Sequence, residues 1–360
     1  MKTRRLLLGC LLLACCALTN AADRYRTLLN AKHLTLTTRQ GDTHYYIISA
    51  DEMPTMHLGG DRIMIGGDTF QVSDISRMRL RTIPRFVLDE DSTTFGRDYA
   101  VDHGLLALRR TLTLNQWNAV VLPIGLTARQ VRQTFGDDVQ VAQVRGFREG
   151  SNTQVDYELV ALDDDQAVAM LANCHYILRP TREPDLAEGQ SAPLFGTVRP
   201  KGPLYLIADA TLEPKQSPAI QTIRSDDRTS HLALQGTYIV RDGSNSSSNR
   251  KVPPGVYWLD DEGHISQQSD SVSVKAFSSW FVDTSDQTVP YTFYIDGINE
   301  NLSAIEGVEV EGGKWKEERG VTDGVYDLQG RRVQSSNSEW SNRQMPKGIY
   351  IINGKKTVIR

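Results

Sequence analysis

Apolar and polar positions alternate with a period of two along most of this chain, and that period predicts strands rather than helices. In Leu34-Thr35-Leu36-Thr37 every second residue is apolar, Arg39-Gln40-Gly41-Asp42 supplies turn chemistry, and 45–48 returns. The segment reads as a hairpin. A second hairpin follows, with Ile63-Met64-Ile65 and Thr69-Phe70-Gln71-Val72 flanking Gly66-Gly67, where glycine's freedom at positive φ suits a tight turn. Ile75, Met78 and Leu80 extend this N-terminal β-hairpin unit, which spans 23–85 and ends near Pro84.

From 86 to 305 the same period recurs with one interruption. Thr127, with Gln130 three residues on, has the form of a capping box, and Leu126 is set to staple onto Val131. Ala128, Val131 and Phe135 share one helical face and Gly136 stops the run, so a short amphipathic helix is inserted between strands at 120–122 and 139–144. The alanine-bearing stretch 163–173 allows a second helix. Further strands are expected at 176–178, 204–208, 237–240, 256–259, 272–277 and 291–295. The fold class is therefore mainly β, with one or two antiparallel β-sandwiches in 86–305. The polar stretch 241–251 reads as a loop projecting from a sheet edge, and the charged stretch 306–320, with Gly312-Gly313, reads as a linker.

Beyond that linker, 321–360 contains an internal repeat at a spacing of 24 residues: Gly324-Val325-Tyr326-Asp327-Leu328-Gln329-Gly330-Arg331-Arg332 is echoed by Gly348-Ile349-Tyr350-Ile351-Ile352-Asn353-Gly354-Lys355-Lys356. Each copy is a strand, a Gln-Gly or Asn-Gly turn, and a basic pair entering a second strand. Two hairpins of one small sheet are expected, with Tyr326 and Tyr350 in equivalent positions and on one face.

The first residues have a different pattern. Met1-Lys2-Thr3-Arg4-Arg5 is basic, the 13 residues from Leu6 to Leu18 carry no charge, and Thr19-Asn20-Ala21-Ala22 is small and polar. This is the layout of a secretory signal peptide covering 1–22, cleaved after Ala21 or Ala22. Thirteen helical residues span about 20 Å, too short for a hydrocarbon core of about 30 Å, so no transmembrane anchor is expected in the mature chain. The rival reading is lipidation, since Leu12-Leu13-Ala14-Cys15 has the form of a lipobox with Cys15 as the acceptor.

Removal of the signal changes the charge and cysteine counts. Lys2, Arg4 and Arg5 leave and no acid does, taking the formal charge from -4 to -7, which argues against nucleic acid as a partner. Cys10, Cys15 and Cys16 leave as well. Cys174 then stands alone, so no internal disulfide is available and packing must supply the stability.

The tail also resembles a known family. Val325-Tyr326-Asp327-Leu328-Gln329-Gly330-Arg331-Arg332-Val333, then Met345-Pro346-Lys347-Gly348-Ile349-Tyr350-Ile351-Ile352-Asn353-Gly354-Lys355-Lys356 and a basic terminal Arg360, is similar to the C-terminal sorting domain of the type IX secretion system of Bacteroidota. The likeness covers about the last 40 residues and lacks that family's Asn-Pro motif at its start. It implies a small β-sandwich read by an outer-membrane translocon, with Gly324, Tyr326, Gly330, Gly348, Tyr350 and Gly354 carrying the motif, and a location in the medium or on the outer surface, or in the periplasm if the tail does not act as a signal. More loosely, the 34–80 hairpins and Trp117-Asn118-Ala119-Val120-Val121-Leu122-Pro123 with 172–180 resemble segments of uncharacterised secreted proteins of that phylum. Asp91-Ser92-Thr93 and Asp270-Ser271-Val272 resemble its O-glycosylation tripeptide, with Ser92 and Ser271 as acceptors.

The sequence contains no His-Glu-x-x-His, Walker A, Gly-x-Ser-x-Gly or Gly-x-Gly-x-x-Gly motif. Cys174-His175 has the composition of a thiol dyad, but adjacent residues of a strand face opposite ways, so a structural cysteine is the better reading. Asp163-Asp164-Asp165 and Asp260-Asp261-Glu262-Gly263 lack the alternating oxygen spacing of a calcium loop and read as turns. No cofactor and no catalytic residue is assigned. The expectation is an exported, non-enzymatic, adhesin-like or structural binding protein, whose partner is a surface glycan or protein. A carbohydrate-binding module using Tyr257, Trp258, Trp280 and Tyr291 as stacking platforms is the alternative, and a glycan hydrolase built from scattered acids is third.

Overall fold

The computed structural model describes residues 24–25, 27–49, 56–65, 67–96, 100–191, 195, 198–214, 216–244, 249–286, 289–298 and 300–303, together with 325–326, 332–334, 348–352 and 355–359. The chain divides into two compact units, 1–304 and 305–360.

The larger unit is organised on a six-stranded sheet in the order Glu300–Asn301, Thr292–Ile295, Gln154–Leu159, Gln140–Phe147, His175–Arg179 and Asn118–Val121. Both of its faces contribute to buried cores. Ala142, Val144, Val155 and Ile177 point to one side and share a core with Ile223, Leu232, Leu234, Leu259 and Phe281 of a five-stranded sheet. That sheet runs Gln221–Arg224, His231–Thr237, Ser278–Asp283, Tyr257–Leu259, Ile265–Gln267, and the pair forms a β-sandwich. Val120, Val141, Tyr176 and Leu178 point the other way, where they meet the helix and a third sheet of Leu204–Leu212, Val101–Arg109 and Arg85–Asp89.

The third sheet is also covered on both sides. Leu106, Leu108, Tyr205 and Ile207 face the helix, whereas Leu105, Ala107, Leu204 and Leu206 face Tyr25, Leu28 and Ala31 of the N-terminal segment. This explains why the run Leu105-Leu106-Ala107-Leu108 shows no alternation: a strand buried on both faces is apolar throughout. The architecture is mainly β, but not purely antiparallel. Arg85–Asp89 runs parallel to Val101–Arg109, and Gln154–Leu159 runs parallel to Thr292–Ile295.

The helix, Ala128–Phe135, has both halves of the capping box. The Thr127 hydroxyl accepts from the Gln130 backbone N–H, the Gln130 side chain accepts from the Thr127 N–H, and Gly136 at φ +115° closes the run. The 163–173 stretch is not a helix. The Asp164 carboxylate accepts from the Gln166 N–H at 3.0 Å, holding a turn, and Val168–Met170 then pairs as a strand with Leu126–Thr127. The strand expected at 237–240 stops at Thr237, whose hydroxyl bends the chain by accepting from the Ile239 N–H at 3.2 Å. In 272–277 only Val272 and Val274 make isolated bridges, and Phe277 at φ +64° leaves the extended region.

The N-terminal hairpins form as the alternation requires. Lys32–Thr38 lies between Thr43–Ile48 and Ile75–Thr82, and Met56–Gly59, Arg62–Ile65 and Asp68–Gln71 make a three-stranded meander. Leu34, Leu36 and Ile65 are the buried contact between the two small sheets. Glu90 and Arg110 are among the polar groups buried in the body. The Glu90 carboxylate, almost fully buried, takes the Arg110 guanidinium at 3.3 Å and both the Thr111 N–H and hydroxyl, at 2.8 Å and 2.7 Å. Arg110 also donates to Ser278, so this ion pair links the third sheet to the five-stranded one. Every oxygen of Glu90 is thereby satisfied, a condition for tolerating a buried charge.

The C-terminal unit is a four-stranded antiparallel sheet in the order Arg332–Gln334, Val325–Tyr326, Gly348–Ile352, Lys355–Ile359. The two repeats pair with each other. Their register sets Tyr326 opposite Ile351.

Candidate functional site

Two backbone irregularities meet on the third sheet. Strands Val101–Arg109 and Leu204–Leu212 lose register between Ile207 and Ala210, and His103 and Asp209 take positive φ values of +50° and +58°. Non-glycine residues seldom adopt that conformation, and facing bulges are a common way of aiming side chains off a sheet. The His103 Nδ1 and the Asp209 carboxylate then lie 2.6 Å apart. Hydrogen bonding to Asp209 raises the His103 pKa above the ordinary histidine value.

The helix supports this arrangement from below. Gln130, already part of the capping box, donates through Nε2 to the backbone carbonyls of Ala208 and Asp209, at 2.8 Å and 3.1 Å. From the opposite side the N-terminal hairpin supplies Tyr45, whose ring stacks on His103 at 3.9 Å, and His33, edge-on to both at 6.2 Å and 6.4 Å. His33 is buried, its Nε2 has no hydrogen-bond partner, and burial lowers its pKa.

A cleft of about 880 Å3 opens between these elements. It is lined by Tyr45, Tyr46 and Ile47 of the N-terminal hairpin, by Thr127, Arg129, Gln130 and Gln133 of the helix and its cap, and by Gln166, Asp209, Thr211, Glu213 and Gln216. Amides, hydroxyls, carboxylates and the Arg129 guanidinium share the lining with two tyrosine rings, Tyr45 and Tyr46, and with aliphatic side chains such as Ile47, Leu126 and Val168. The His103–Asp209 pair orients an imidazole, but no serine or cysteine hydrogen-bonds to that imidazole among the described residues. The polar chemistry available here is hydrogen bonding from these side chains.

None of these residues stands out in the sequence. The available trace is a polar break in an apolar strand, Asp102-His103-Gly104 before Leu105 and Asp209 between Ala208 and Ala210, which is how a bulge reads. The residues that the sequence did single out lie elsewhere. Tyr257, Trp280 and Tyr291 are buried and Trp258 is half-buried against Trp280 and its neighbours, so they are core and cannot serve as stacking platforms. Cys174 is half-buried, and burial raises its thiol pKa. The adjacent His175 donates from Nε2 to the Ala219 carbonyl at 2.5 Å, so the two residues form no dyad. Asp165 pairs with Arg132, and Asp260 accepts from the His264 N–H at 2.7 Å, both turn roles.

Ser271 is exposed, while the half-buried Ser92 donates its hydroxyl to the Thr94 carbonyl at 2.7 Å. Ala21, Ala22, Gly324, Gly330 and Gly354 lie outside the described residues, whereas Tyr326, Gly348 and Tyr350 fall in paired strands. Among the described residues no group of three or more histidine, cysteine or acidic side chains is set to hold a metal ion, and no helix is long and apolar enough to cross a membrane. Comparison with known proteins gives no match to a family model, to a curated protein or to a solved structure.

Proposed function

We propose that this chain is an exported binding protein without catalytic activity, acting in the medium or at the cell surface, and that the cleft beside His103 and Asp209 is its ligand seat. The observation that carries the reading is the lining. A cavity of about 880 Å3 falls in the size range of ligand sites, and its amides, hydroxyls and acids, set among tyrosine rings and aliphatic side chains, match the hydroxyls and apolar faces of a sugar. A glycan is the ligand class such a surface suits, with Tyr45 in place of the buried aromatic residues as the ring on which a sugar stacks. The signal-like 1–22 segment and the tail's likeness to type IX sorting domains support export.

The test is a screen of the mature chain, 23–360, against neutral oligosaccharides, followed by calorimetry on any that bind. Tyr45→Ala, Gln166→Ala and Asp209→Ala should each weaken binding at least tenfold while leaving the far-ultraviolet spectrum unchanged. Binding that survives all three substitutions would move the site elsewhere, and failure to bind any glycan would sink this ligand class.

A further inference from the structure

The outer strand of the N-terminal sheet, Ile75–Thr82, carries Arg77, Arg79 and Arg81 at alternate positions. Alternation puts all three on one face, about 6.5 Å from one to the next. They are exposed, and none has an ion-pair partner among the described residues. The register identifies the rest of that face. Arg77, Arg79 and Arg81 stand opposite Thr37, Thr35 and His33, and beyond these lie Thr43, Tyr45 and Ile47. No carboxylate is among these nine residues. The nearest acids along the chain, Asp42 and Asp74, sit at the turns where the sheet ends.

Three like charges held in a straight row repel one another, and here they do so on a chain whose formal charge is -4. Their field is satisfied only from outside. We propose that this row binds a linear polyanion, namely an acidic polysaccharide bearing carboxylate or sulfate groups at regular intervals along its length. The planar guanidinium fork matches such groups bidentately, and a strand presents its forks in a line. The half-buried hydroxyl-bearing neighbours, Thr35 and Thr37, suit sugar hydroxyls. A single-stranded nucleic acid fits the face less well, because it needs a row of aromatic rings on which to stack successive bases, and Tyr45 is the one tyrosine, phenylalanine or tryptophan on this face. The arginine strand itself does not line the cleft, which this face meets only at Tyr45 and Ile47.

The test uses the mature chain, 23–360, against four probes: alginate, dextran sulfate, neutral dextran and an oligothymidylate. Retention on alginate or dextran sulfate, weakening as sodium chloride rises, with none on neutral dextran, is the expected result. Replacing Arg77, Arg79 and Arg81 together by glutamine should cut the affinity at least tenfold and flatten the salt dependence, while replacement by lysine should keep much of it. The cleft variant Gln166→Ala should leave polyanion binding unchanged, which separates failure of this proposal from failure of the cleft reading. Undiminished binding by the glutamine variant, binding of oligothymidylate in preference to the polysaccharides, or no binding of any probe would overturn the proposal. If the parent binds nothing and the glutamine variant self-associates, the arginines guard a sheet edge instead.

Discussion

Arg24 reaches Asp185 across 161 residues of sequence and donates two hydrogen bonds to its carboxylate, at 2.8 Å and 2.7 Å. Arg182 donates to the same carboxylate at 2.5 Å and the Leu206 N–H at 2.7 Å, and the Asp185 side chain is fully buried. Asp185 therefore fixes the first described residues of the chain onto the third sheet, where Tyr25 and Leu28 pack on Leu204 and Leu206.

Asp185→Ala would leave two guanidinium groups facing a buried gap, and is expected to cost about 3 kcal/mol in urea unfolding. Arg24→Ala, at a site with partial solvent access, should cost less. N-terminal sequencing of exported protein should find Ala22 or Asp23 first, keeping Arg24 in place. A mature form that starts beyond Arg24, or a lipid on Cys15, would refute this cleavage site.

Gln130 caps the helix and also holds the bulge at Asp209, whereas Thr127 only caps. Thr127→Ala should therefore cost about 1 kcal/mol, as the loss of a helix cap does. Gln130→Ala should cost more, because the Ala208 and Asp209 carbonyls lose their donor as well, and it should shift the His103 resonances in NMR. Equal costs and an unmoved His103 would show that the bulge stands without Gln130.

The histidines predict a pH dependence of mixed sign. His33 and His175 are held below the ordinary histidine pKa, chiefly by burial. They are neutral in the fold, while the unfolded chain takes up protons near pH 6.5. Their contribution is complete above about pH 6.5 and is lost as the pH falls below it. His103 is opposite: the hydrogen bond to Asp209 raises its pKa, so its contribution is complete below about pH 6.5 and is lost as the pH rises through the elevated value. Urea midpoints measured from about pH 8 to 5 should fall on the acid side, and the fall should be shallower in His175→Gln, whose amide can still meet the Ala219 carbonyl. In an NMR titration Asp209→Asn should lower the His103 midpoint. An acid limb identical in His175→Gln would leave the loss to His33 and the carboxylates.

The tail predicts a separation of stability from export. The 305–360 segment forms its own compact unit, so a chain ending at 304 should melt within a few degrees of the full mature protein. If the likeness to sorting domains holds, the same truncation should abolish release to the medium or the outer surface. Fractionation of cells expressing each form with its signal decides it: a truncated chain that still reaches the outside would end the sorting role.

The sequence alone determined what rests on local chemistry. Alternation at 34–37 and 45–48, Gly66-Gly67 between two apolar runs, and the Thr127–Gln130 box each specify a conformation through neighbours a few residues away, and the hairpins and the helix formed where those signals lie. The same local logic overreached at 163–173, where Asp164 bonds the next turn in place of a helix, and at 272–277, where Phe277 takes positive φ. Only the tertiary structure decided which faces are covered. Leu105 to Leu108 look featureless because two layers bury them, and Trp280 looks like a platform until Val252, Val256 and Val274 pack against it. The candidate site belongs to this second class. His103 and Asp209 are 106 residues apart, Tyr45 lies on a different sheet, and no periodicity encodes a meeting that depends on how three separately folded elements pack.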